Sequence, residues 1–132
     1  MTELSLALSS CITNVVQVEQ YAESLQKHYR ISLDKFPDIL ISLTEAVNNA
    51  IIHGNNQDLE KQVLIQSQKT QKGLVIMVSD EGTGFNPKNL PDPTCQENIC
   101  ECSGRGVFLM KELCDKISFD NNGSTVKLFF AI

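Results

Sequence analysis

The sequence predicts an α+β fold, and three observations carry that prediction. Apolar residues recur at helical spacing in three segments, short apolar runs mark strands before, between and after them, and four of those strands form two pairs joined across glycine-containing turns. Such turns make hairpins and favour antiparallel pairing. The elements follow in the order strand, helix, helix, strands, loop, helix, strands.

Leu4, Leu6 and Leu8 alternate with Ser5, Ala7 and Ser9, the period of a half-buried strand. Val15, Val18, Ala22, Leu25 and Tyr29 then repeat at the spacing of an amphipathic helix. Pro37 marks a break or the first turn of the next helix, which runs to about His53 and stops at Gly54. Val63–Gln68 and Leu74–Val78 read as strands joined near Lys72-Gly73. From Phe85 to Ser103 the pattern dissolves into Asn, Pro, Asp and Cys, and a loop of that length is functional or mobile. Gly104 and Gly106 lead into a third helix through about Cys114. Ile117–Phe119 and Val126–Phe130 close the chain as a second hairpin across Asn122-Gly123. With no repeat and no linker, residues 1–132 read as one domain.

Its 132 residues are enough to bury a core without disulfides. The five cysteines are an odd number at uneven spacing and read as reduced thiols. Cys95, Cys100 and Cys102 do not have the spacing of a zinc site and lack a neighbouring His, so they read as loop thiols. A net charge of −5 argues against nonspecific binding to nucleic acid or an anionic membrane. No apolar run approaches the roughly 20 residues of a membrane span, and the first ten residues lack the basic start of a leader.

Three motifs carry chemistry. In the second helix, a 100° wheel makes residues 39–54 apolar nearly all round, so this helix is expected to be buried. Glu45, Asn49 and His53 nevertheless fall on one stripe at i, i+4 and i+8. A carboxylate and an amide within an apolar helix are costly unless something polar meets them. The second motif, VSDEGTGF, runs an apolar strand into Asp80, Gly82 and Gly84. Asp80 can accept a hydrogen bond from an exocyclic amine such as that of adenine, and the glycines allow close approach of a flat or phosphorylated ligand. Third, SGRGVFLM places Gly104 and Gly106 at a helix start, where N–H groups and the dipole favour an anion. Taken singly, each also reads blandly, as an exposed Glu, an ordinary turn or a helix entry.

Their order and spacing together resemble the GHKL superfamily of ATPases. Within it, TEAVNNAIIHGN, SDEGTGF and SGRGVFLMKELCD are similar to the anti-sigma-factor serine kinases of the RsbW and SpoIIAB type. The resemblance implies a two-layer α/β sandwich, a mixed and mostly antiparallel sheet with helices on one face. It implies Glu45 as general base, Asn49 as the Mg²⁺ ligand and Asp80 on the adenine amine, with Gly82 and Gly84 against the base. Residues 85–103 would form a lid over the triphosphate, and Gly104 and Gly106 would supply N–H groups to the phosphates. Ser124 or Thr125 would stand on the adenine side, Thr125 being the residue assigned. Arg105 is assigned to the nucleotide site too, its role open between phosphate, lid and partner. His53 caps or packs at the helix end, and Lys111 is solvated.

The function implied is transfer of phosphate from ATP to a serine or threonine of a STAS-domain anti-anti-sigma partner. A sigma factor would bind the same cytoplasmic protein, a homodimer without nucleic-acid or membrane contact. There is no P-loop and no protein-kinase catalytic set. The alternatives are an ATP-gated binding module without turnover and the detached catalytic half of a split histidine kinase.

Overall fold

A computed structural model describes residues 4–11, 14–55, 58–81, 102–120 and 124–131. Strand β1 (Leu4–Ser9) leads into helix α1 (Val15–His28) and helix α2 (Phe36–Asn49), which continues as a π turn over Ala50–Gly54. Strands β2 (Gln62–Lys69) and β3 (Leu74–Ser79), helix α3 (Cys102–Leu113) and strands β4 (Lys116–Asp120) and β5 (Thr125–Phe130) follow. The sheet order is β1-β2-β3-β5-β4, and all four pairings among the described strands are antiparallel. The mixed sheet expected from the sequence is thus antiparallel throughout its described part.

Register follows from burial, because side chains alternate across a strand and a one-residue slip would turn every apolar group outward. Leu8 opposes Val63, Ile65 opposes Val78, and Ile76 opposes Leu128, and all six side chains are buried. The turn between β2 and β3 closes through Thr70 N–H donating to Gly73 O at 2.7 Å. Gly73 there has φ +157° and no room for a Cβ, which would strike the Phe130 carbonyl.

Helix α2 packs between α1 and α3 and reaches β3 and β5. Its Ile39, Leu43, Ala46 and Val47 are buried, and each Leu- or Val-sized side chain removed from water stabilises the fold by about 1.5–3 kcal/mol. Pro37 lies in the first turn, where no intrahelical N–H is missed, and Asp38 complements the dipole there. The wheel predicts burial nearly all round, but the helix is open on one side: Ile41 is 42% exposed. Helices α1 and α3 and the sheet cover three sides of α2 and leave the fourth to solvent, and one apolar residue there costs little. Helix α1 is fastened to the sheet by two tyrosine hydroxyls, one within the helix and one at its C-terminal cap. Tyr21 Oη donates to Leu4 O at 2.8 Å and lies 3.1 Å from Ser67 Oγ, and Tyr29 Oη donates to Ser67 O at 3.2 Å.

Among the described residues, no helix is long and apolar enough to cross a membrane.

Candidate functional site

Strand β3 delivers Asp80 at its C-terminal end, where β3 ends and its antiparallel neighbour β5 begins. Ser79 pairs with Thr125, and the Asp80 N–H donates to Ser124 O at 2.9 Å. The end of α2 and its π turn cross that edge. Between them is a cavity lined by Ala46, Asn49, Gly54, Asp80, Met110 and Ser124, among others. Its volume is about 20 Å³, room for about one water molecule. A few polar groups on an apolar wall are what a small-molecule site presents.

The π turn makes this juxtaposition. Asn55 N–H donates to Ala50 O at 2.8 Å, an i to i+5 bond that widens the last turn. The 100° wheel therefore fails beyond Asn49. His53, expected in line with Glu45 and Asn49, is exposed and does not line the cavity. Gly54 is not a left-handed stop either; among the described glycines only Gly73 has positive φ. What Gly54 provides is space. A Cβ there would stand 2.7 Å from Asp80 Oδ1 and closer still to its Cγ and Oδ2. The carboxylate rests on bare backbone.

Asn49 and Asp80, predicted to share a site, line one cavity. Glu45 lies one turn before Asn49 on α2, half-buried and outside the cavity lining. Of the two candidates near the last strand, Ser124 lines the cavity. Thr125 is 7% exposed, with its Oγ1 3.1 Å from Ser79 Oγ. Gly104 and Gly106 lie within the first turns of α3, which starts at Cys102. Gly82, Gly84, most of the 85–103 segment with Cys95 and Cys100, and the side chains of Cys102 and Arg105 lie outside the described residues. Among those described, no cluster of three or more His, Cys, Asp or Glu is placed to hold a metal ion.

The family model described as a histidine kinase-like ATPase domain matches residues 8–130. This chain belongs to that family. Within the family it is 30% identical to an anti-sigma F factor of Bacillus subtilis (strain 168) over 103 residues, 74% of this chain and 70% of the relative. An anti-sigma F factor of Clostridium perfringens (strain SM101 / Type A) is 32% identical over 101 residues, 72% of this chain and 71% of the relative. A serine-protein kinase RsbW of Bacillus subtilis (strain 168) is 29% identical over 102 residues, 72% of this chain and 64% of the relative. The ATPase family and the α+β class with a mostly antiparallel sheet are both borne out.

Two residues of this ATPase domain escaped the sequence reading. The local sequence marks Gly54 only as a helix stop, and its contact with Asp80 joins positions far apart in the chain. Asn55, fully buried, makes hydrogen bonds to three other segments of the chain. The signal available was an Asn directly after a helix end, which is equally the sequence of a plain turn.

Proposed function

We propose that this chain is an ATP-dependent serine/threonine protein kinase and anti-sigma factor. It phosphorylates a STAS-type anti-anti-sigma protein and sequesters a sigma factor. The observation that carries the reading is the convergence of Asn49, Asp80 and Ser124 on one cavity, with Glu45 one helical turn from Asn49. The relatives' printed names, anti-sigma F factor and serine-protein kinase, support it. The proposal extends to a single domain over residues 1–132, working as a cytoplasmic homodimer away from nucleic acid and membrane.

The chemistry is positioning and charge stabilisation. Asp80 accepts a hydrogen bond from the adenine amine of ATP, and Ser124 stands beside it. Thr125 supports that wall from inside, through its contact with Ser79. The donor set fits Mg²⁺, a hard cation that takes one or two protein oxygens and completes its shell with phosphate and water. Asn49 would hold it through its amide oxygen, and its part is to neutralise phosphate charge. The partner's serine oxygen attacks the γ-phosphorus, the bond from that phosphorus to the β–γ bridging oxygen breaks, and ADP leaves. Glu45 takes the serine proton. Gly82 and Gly84 border the base, Gly104 and Gly106 serve the phosphates near the start of α3, where the helix dipole favours anions, and Arg105 belongs to the same nucleotide site with its role open between phosphate, lid and partner.

The test is transfer of the γ-phosphate of labelled ATP to purified STAS-domain proteins from the same genome, followed by sigma-factor capture with ATP or ADP. Serine phosphorylation of one STAS protein, with sigma-factor capture, is the expected result. ATP binding and partner binding with no transfer to any of them would replace the kinase with an ATP-gated binding module.

A further inference from the structure

Asp80 can aim its carboxylate only if the peptides on both sides of it are held. The peptide before it is fixed by β5, through Asp80 N–H to Ser124 O at 2.9 Å. The peptide after it is fixed by Asn55, whose Oδ1 accepts from Glu81 N–H at 2.7 Å. Together these bonds set both backbone dihedrals of Asp80, and the close approach to Gly54 limits where its side chain can turn.

The Asn55 amide is itself tightly placed. Its Nδ2 donates to Gln62 O at 3.0 Å and to Ser10 Oγ at 2.8 Å. Ser10 Oγ donates onward to Lys61 O at 2.7 Å. Gln62 N–H donates to the Glu81 carboxylate, closing a ring of three residues. Turning the amide over would set its NH₂ against the Glu81 N–H and its oxygen against the Gln62 carbonyl, so one orientation alone is satisfied. Asn55 is 0% exposed, and water cannot replace these partners.

We propose that Asn55 is the positioning residue for base selection, holding the Asp80–Glu81 peptide so that Asp80 meets the purine 6-amine. This rests on the reading of Asp80 given above. It touches no nucleotide itself and acts through Asp80.

The experiment compares binding of ATP with that of purine riboside triphosphate, which lacks only the amine, by calorimetry on the full chain. Wild type should prefer ATP by about tenfold or more, the worth of a hydrogen bond to a charged group. Asn55→Ala should bring the preference to within about threefold of unity while its melting temperature falls. Ser10→Ala removes one partner of the amide and leaves the Glu81 bond, so it should melt lower and keep the ATP preference. Should Asn55→Ala not fold, Asn55→Ser, whose hydroxyl is too short to reach Glu81, is measured in its place. A folded Asn55 variant that keeps the full preference, or that weakens both nucleotides equally, overturns the proposal. A wild type without preference removes the reading of Asp80, and this inference with it.

Discussion

The α-helical part of the second helix and the π turn that continues it serve the same cavity by different means. In the first, Glu45 and Asn49 are placed by periodicity: four residues apart, they follow one another up one side of a helix whose other sides hold it in the core. In the second, Gly54 and Asn55 act by contact, one as the bare backbone beneath the Asp80 carboxylate, the other as the amide that grips Glu81. The difference teaches that a functional spacing can be local while the geometry that makes it useful is long-range. Asn49 and Asp80 are each legible alone, but the wider turn between Ala50 and Asn55 brings Gly54 under the carboxylate.

The largest effect expected on this comparison is at Glu45. Glu45→Gln keeps size and hydrogen bonding but cannot take a proton. Transfer to the partner serine should fall by about 10²- to 10⁴-fold, with ATP affinity and partner docking unchanged. Equal transfer by wild type and variant would leave the kinase in place and remove Glu45 as its base.

Gly54 breaks the comparison from the other side. In Gly54→Ala the new methyl must displace the Asp80 carboxylate, which sits on a short side chain with little room to turn away. ATP affinity should therefore fall by about 1–3 kcal/mol, as it should for Asp80→Asn. Because both act on one hydrogen bond, the double variant should lose little more than either single change. Additive losses would show that Gly54 acts only on folding.

At Asn49 the effect is smaller and depends on the cation. Asn49→Ala should weaken ATP binding in magnesium more than it weakens ADP binding without magnesium, since only the first uses its oxygen. The same loss for both ligands points to a folding defect. The smallest effect sharpens the assignment near β5. Ser124→Ala should weaken ATP by about 1 kcal/mol or less and leave the melting temperature nearly unchanged. Thr125→Val should instead lower the melting temperature, because Thr125 is buried with its hydroxyl against Ser79. Reversed outcomes would restore Thr125 as the nucleotide contact.

Strands and helices were largely legible because their signals are local. Alternation in Leu4–Ser9 and the apolar runs at Val63 and Leu74 need no partner to be recognised, and β1, β2 and β3 lie there. The pairing of Asn49 with Asp80 was legible only as a family pattern, since nothing in a helix and a distant strand end states their proximity. Three features were set by tertiary structure. Ile41 faces solvent because α1, α3 and the sheet occupy the other sides of α2. His53 leaves the stripe because an i to i+5 bond replaces the regular turn, and a helical wheel holds only while the helix keeps its pitch. Gly54 is a glycine because a carboxylate 26 residues away lies against its backbone. Sequence alone determined the residue types and their local spacing, which are properties of a short stretch of chain. The tertiary structure decided which of those groups meet, because burial and hydrogen-bond satisfaction are settled only when distant segments close around one another.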